Sequence, residues 1–129
     1  MRVCTHLMFE GNAAAAMELY CRVLPESQVI GVDRYGEGEA GKAGTVKMAR
    51  LRLAGTEFIV IDSPVKHAFT FTPSTSLFVE ADTREQFDRI VEDLAEDGRM
   101  LMPPANYGFS TWFAWFQDRF GVSWQLNLA

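Results

Sequence analysis

The order in which hydrophobic periodicity changes along the chain constrains the fold more than any single motif, because the same series of elements occurs twice. Arg2 to Phe9 alternates without a breaker, which predicts a strand. Asn12 stands where an N-cap belongs. Behind it Ala13, Ala16, Met17, Tyr20, Val23 and Leu24 recur at helical spacing until Pro25 stops the helix. Strands are predicted over Gln28–Tyr35, Thr45–Leu53 and Thr56–Asp62, the last two joined in a hairpin at Ala54-Gly55. Between the first two, residues 36–44 hold four glycines and read as a flexible lid or hairpin extension. Neither a Lys-Ser/Thr pair nor a helix start follows them, which excludes a phosphate-binding loop. Asp62, beside Pro64, reads as a turn residue, and His67 as a solvated loop histidine.

The second half runs through the same elements. Ser76–Glu80 is a strand, and Thr83 opens a helix with Gln86 three residues on, the capping-box spacing. Phe87, Ile90, Val91, Leu94 and Ala95 form its apolar stripe, and Gly98 suits the left-handed position that ends it. Strands are predicted over Arg99–Met102, ended by Pro103-Pro104, then Phe109–Phe116 and Val122–Leu128. The turn glycine Gly55 with Phe58 three residues later matches Gly121 with Trp124. The reading is an α+β chain of two βαβββ modules, residues 1–72 and 73–129, within one domain. A ferredoxin-like α+β barrel is the alternative, but it needs only four strands and leaves Phe109–Leu128 without a place.

A length of 129 residues fits one domain. Twelve basic against 17 acidic residues give a net charge of −5, which argues against a nucleic-acid or anionic-membrane binder. No apolar run approaches the ~20 residues of a membrane span. Cys4 and Cys21 are too few for a disulfide framework and read as buried thiols of a reducing compartment. With no signal-peptide pattern at Met1–His6, a cytoplasmic location is the expectation.

Leu7-Met8-Phe9-Glu10-Gly11-Asn12-Ala13-Ala14-Ala15-Ala16-Met17-Glu18-Leu19-Tyr20 resembles the F-x-G-N-A-x-x-A-x-x-F-Y opening of PhnB-like proteins. Asp118-Arg119-Phe120-Gly121-Val122-Ser123-Trp124-Gln125 resembles their D-R-F-G-V-x-W-Q ending. These proteins belong to the vicinal oxygen chelate superfamily of glyoxalases, bleomycin-resistance proteins and extradiol dioxygenases. Many carry the label 3-demethylubiquinone-9 3-methyltransferase. The resemblance implies the glyoxalase/bleomycin resistance/dihydroxybiphenyl dioxygenase fold, in which curled half-barrel sheets surround a cleft, and a homodimer.

Enzymes of the superfamily hold a divalent metal between first and last strands of the modules. The resemblance puts the first-strand position on Cys4 or His6, which share a strand face with Met8. The last-strand position falls on Gln125, its first-module counterpart on Ile59, and the opening of the second module offers Ser76 or Thr75. Three of these four positions lack a histidine or a carboxylate. A neutral amide keeps an oxygen donor but forfeits the charge that offsets dehydration of a hard cation. No tightly bound cofactor is expected, and His6 with Gln125 supports at most weak divalent-metal binding.

Glu57 shares a face with Ile59 and Ile61. A carboxylate on an apolar cleft wall has a raised pKa and suits a general base. Eight aromatic residues lie between Tyr107 and Trp124. Trp112, Ala114 and Phe116 point one way on a strand, and Thr111, Phe113 and Trp115 the other. Trp124 reads as core. Ser123, Gln125 and Asn127 form a polar strip that suits the floor of a binding cleft. Tyr107, Trp112, Trp115, Ser123 and Gln125 thus join Cys4, His6, Met8, Ile59 and Ser76 as candidate cleft residues. Trp112 and Trp115 are equally suited to a dimer interface.

Two functions follow. One is a binding protein for a small aromatic or amphiphilic molecule, as the bleomycin-resistance resemblance implies. The other is a metal-assisted isomerase, lyase or dioxygenase using His6, Gln125 and Glu57. The methyltransferase label ranks third, since the chain lacks the glycine-rich strand–helix turn of a Rossmann-type cofactor site.

Overall fold

The computed structural model describes residues 1–129, which divide into two compact units, Met1–Ala68 and Phe69–Ala129. In the first, β1 (Thr5–Phe9), α1 (Ala13–Val23), β2 (Gln28–Arg34), β3 (Val46–Leu53) and β4 (Thr56–Asp62) make a sheet of order β1-β4-β3-β2. In the second, β5 (Ser76–Ala81), α2 (Arg84–Ala95), β6 (Arg99–Ala105), β7 (Trp112–Gln117) and β8 (Ser123–Leu128) repeat it as β5-β8-β7-β6. β1 runs parallel to β4 and β5 to β8, while the other pairs are antiparallel. The α+β reading with two βαβββ modules stands. So does the shared turn: Gly55 has φ +87° and Gly121 φ +91°.

Each helix packs on one face of its own sheet. In the first unit Leu7, Phe9, Leu51, Phe58 and Val60 alternate inward against Ala13, Ala16, Met17, Tyr20 and Val23. In the second, Ala114, Phe116, Trp124 and Leu126 meet Phe87, Ile90 and Leu94. Trp124 is buried, as its place beside Val122 and Leu126 predicts.

Several local expectations need correction. Asn12 makes no side-chain cap bond. Its task falls to Asp62, whose Oδ1 accepts from the amides of Gly11 (2.8 Å) and Ala13 (3.0 Å) and whose Oδ2 accepts from Val46 N (2.9 Å). Asp62 is 2% exposed. It is therefore a buried latch across β4, α1 and β3, and not the turn residue its neighbours imply. In the second unit Asp118 Oδ1 accepts from Phe120 N and Val122 N, and Oδ2 from Trp124 Nε1 (2.9 Å). α2 is capped as predicted, Thr83 accepting from Gln86 N. The left-handed residue after it is Asp97 (φ +60°), however, and not Gly98. Gly98 is needed for another reason: a Cβ there would lie 2.0 Å from Gln117 O.

β6 continues through Pro103-Pro104, which an edge strand with register shifts tolerates because its outer N–H groups need no partner. β7 begins at Trp112, residues 109–111 forming a bend. Residues 36–44 form a hairpin extension tied by Tyr35 N to Thr45 O, Gly44 N to Tyr35 O and a Lys47–Glu39 ion pair of 2.9 Å. His67 Nε2 lies 2.9 Å from Ser63 Oγ, so this imidazole is engaged. Cys4 and Cys21 are half-buried, and burial raises the Cys21 pKa. No helix is long and apolar enough to cross a membrane.

Candidate functional site

Strand alternation turns one face of each sheet away from its helix, and the chemistry lies on those open faces. In the second unit, register sets three rows across the sheet. Ser76, Ser123, Gln117 and Arg99 form one; Phe78, Gln125, Trp115 and Met102 the next; Glu80, Asn127, Phe113 and Ala105 the third. A polar network joins the first two. Trp115 Nε1 donates to Ser123 Oγ at 2.9 Å, the Ser76 and Ser123 hydroxyls lie 2.7 Å apart, and Gln125 Nε2 donates to Ser76 Oγ at 3.2 Å. Every group in it is uncharged. At one end Tyr107, Phe109 and Phe113 form an aromatic corner, with Phe109 and Phe113 edge to face at 4.9 Å and the Tyr107 hydroxyl bonded to Pro103 O.

Four candidate residues, Ser76, Trp115, Ser123 and Gln125, therefore come together, and Tyr107 flanks the corner. Trp112 does not join them. It lies on the helix side of β7, where the Arg84 guanidinium sits 4.0 Å from its ring centroid, and its buried Nε1 has no partner. Parity along β7 decides this, since Trp112 and Trp115 stand three residues apart and a strand sends them to opposite faces. Phe78 is the residue sequence reasoning missed. It is 56% exposed and pairs directly with Gln125. Its exposure and its partner across the sheet are set by register, so local sequence pattern held no signal for it.

In the first unit His6 pairs with Ile59 and Met8 with Ile61 on the open face, while Cys4 precedes β1. Glu57 occupies that face too, but not as a base. Its Oε1 accepts from Arg50 Nη1 at 2.8 Å and Arg2 Nη2 at 3.2 Å. The Arg50 hydrogen bond, aided by the Arg2, Arg50 and Arg52 charges, holds its carboxyl below the ordinary 4.5, which corrects the expectation of a raised value. A depressed folded-state value means that folded protein binds this proton less readily than unfolded chain. The ion pairs then stabilise the fold above the unfolded value, and that contribution disappears as pH falls through the folded one. Glu57→Gln is expected to flatten the loss of stability between roughly pH 5 and pH 3. Urea midpoints measured against pH check this, and parallel curves for the two proteins would contradict it.

The donor set bears on a metal. By register the pair facing each other in the first unit is His6 and Ile59, and in the second Phe78 and Gln125, with Ser76 within reach of the amide. These supply one imidazole, one alcohol and one carboxamide, with no carboxylate, and the latter two already bond each other. No three His, Cys, Asp or Glu side chains converge anywhere. Such a set does not fit a hard divalent cation, which needs anionic oxygen to offset dehydration.

Comparison with known proteins places this geometry in a family. The family model described as 3-demethylubiquinone-9 3-methyltransferase matches residues 1–127. The chain belongs to that PhnB-like family. With it comes membership of the vicinal oxygen chelate superfamily and its glyoxalase/bleomycin resistance fold. The PhnB protein of Bacillus cereus, named for the same methyltransferase, is 47% identical over 100% of both chains, with a TM-score of 0.98. A Pseudomonas aeruginosa protein at 24% identity (99% of this chain, 97% of that one, TM-score 0.85) shares the fold. So does the fosfomycin resistance protein FosX of Listeria monocytogenes, solved with Mn(II) and sulfate, at 11% identity over 100% of this chain and 92% of that one (TM-score 0.64). No curated protein matches the chain.

The two PhnB-like motifs are, in this structure, mainly fastenings. In the opening motif Gly11 (φ +118°) and Ala13 give their amides to Asp62. In the closing motif Asp118, Gly121 and Trp124 fix the β7–β8 turn. Ser123 and Gln125 are the members of the closing motif that reach the open face.

Proposed function

We infer that this PhnB-like protein binds a small aromatic or amphiphilic molecule on the open face of its second module, without a tightly held metal. The observation that carries the reading is the uncharged Ser76–Ser123–Trp115–Gln125 network, whose Ser76 and Gln125 stand where the resemblance puts metal donors. An aromatic wall beside a few fixed polar groups is the make-up of a small-molecule site. In the first module, taken by itself, Cys4, His6, Met8 and Ile59 make a separate, mainly apolar candidate patch. In this reading the protein works as a cytoplasmic homodimer and takes no nucleic acid, in keeping with its charge of −5.

FosX carries Mn(II) on the same fold, which keeps a metal-assisted isomerase, lyase or dioxygenase as the second reading, with His6 and Gln125 as ligands. The arginine-paired Glu57 counts against it as a base. Methyl transfer, the reaction in the family's name, finds no support in the β1–α1 turn, where Gly11 is the sole glycine.

Metal analysis after dialysis, with and without added Ni²⁺, Zn²⁺ or Fe²⁺, separates the first two. The expected result is substoichiometric metal in every case, unchanged by His6→Ala. Stoichiometric metal lost on His6→Ala would overturn the binding reading. Micromolar binding of S-adenosylmethionine by calorimetry would revive the third.

A further inference from the structure

The network has a direction, and the direction selects a ligand. Ser123 is 1% exposed, and its oxygen accepts from Trp115 Nε1. A buried hydroxyl proton left without an acceptor costs about 1–3 kcal/mol. Either hydroxyl can donate across the 2.7 Å Ser76–Ser123 contact; with Ser123 Oγ already accepting from Trp115, its buried proton is best placed on Ser76 Oγ. Gln125 Nε2 donates to the same oxygen. A hydroxyl oxygen has two acceptor positions. Both on Ser76 are then filled, which leaves its own proton for a ligand at the half-buried open face.

We propose that Ser76 is an obligate hydrogen-bond donor, which makes this face selective for planar aromatic compounds carrying a neutral oxygen acceptor, an aromatic carbonyl. The proposal rests on the binding reading above and names its ligand class. Phe78 and Trp115 flank Gln125 in register on neighbouring strands. With strands about 4.8 Å apart, the two side chains stand roughly 10 Å apart, room for a flat ring system over the amide. Glu80 shares the β5 face and the net charge is −5, so a neutral carbonyl is favoured over a carboxylate. A ligand ammonium brings a second donor to the Ser76 proton and is disfavoured.

Calorimetry on the full-length protein tests this with three probes: methyl naphthyl ketone, the isosteric isopropenylnaphthalene that lacks the oxygen, and naphthylmethylammonium. One hydrogen bond predicts that the ketone binds about tenfold more tightly than the alkene, with the ammonium weakest. Ser76→Ala is expected to erase the preference, and Ser76→Thr, which keeps the hydroxyl, to preserve it. Equal binding of ketone and alkene to the native chain overturns the donor assignment while leaving the face a binding site. That comparison decides the matter even if a variant does not fold. A preference that survives Ser76→Ala overturns the assignment too. If neither neutral probe binds at millimolar concentration and the Trp115 indole resonance stays unmoved, the binding reading itself fails and the proposal with it.

Discussion

Asp62→Ala is expected to destabilise the protein by about 3–5 kcal/mol, a large part of the roughly 5–15 kcal/mol available to a domain. The carboxylate holds three backbone amides, those of Gly11, Ala13 and Val46, and is itself 2% exposed. Truncation removes the acceptor and leaves the buried Ala13 and Val46 donors unmet, while the Gly11 amide lies nearer the solvent. The cost is that of unmet donors and not merely of lost bonds. Asp62→Asn should rescue only in part. Its single carbonyl oxygen can serve the Gly11 and Ala13 amides, but its NH₂ then faces the Val46 N–H, donor against donor. Guanidinium unfolding with an unchanged slope reads the effect directly. A midpoint equivalent to less than about 1 kcal/mol of loss would contradict the latch.

The second large effect concerns Gly98→Ala. An added Cβ would lie 2.0 Å from Gln117 O and 3.0 Å from the Asp118 backbone. Both obstacles are main chain, so no side chain can rotate away to make room. Either the α2–β6 turn or the end of β7 must move, and β7 is held on both sides, by β6 and β8. Overpacking of this kind costs about 2–3 kcal/mol, or roughly a 10 °C fall in melting temperature for a chain of this size. Gly98→Ala should also disturb Asp118 and through it the indole of Trp124, whose near-ultraviolet circular dichroism reports the change. An unchanged melting temperature would show that the close approach is not there.

These two positions show why parts of the molecule were legible in the sequence and parts were not. Element order follows from local periodicity, and both sheets repeat the predicted series. What local pattern does not carry is a partner far along the chain. Asn12 has the right chemistry and position for an N-cap, yet the bonds go to Asp62, 49 residues beyond Ala13. Gly98 looks like a helix stop because it follows one, whereas its constraint comes from a strand that pairs later. Glu57 sits among apolar neighbours in sequence, and only the β3–β4 register brings Arg50 to it. Trp112 and Trp115 were separable by parity alone, since an odd spacing on a strand divides the faces. Phe78 was not, because its value comes from lying opposite Gln125.

The same register argument explains why the site looks unlike a metal centre while the fold remains that of the superfamily. The framework motifs supply the turn at Gly121 and the Gly11 and Ala13 amides that the Asp62 latch holds. Between them the open face carries alcohols, an amide and an indole joined to one another. A ligand meeting this face finds fixed neutral dipoles beside aromatic rings.

The most direct test is a heteronuclear NMR titration of the chelator-treated protein with methyl naphthyl ketone. Shifts are predicted at the Trp115 indole, the Gln125 carboxamide and Phe78, saturating without metal and unaltered when Zn²⁺ is added. Shifts that appear only after metal is supplied, or that centre on His6 and leave Trp115 and Gln125 unmoved, would contradict a metal-independent aromatic-binding face on the second module.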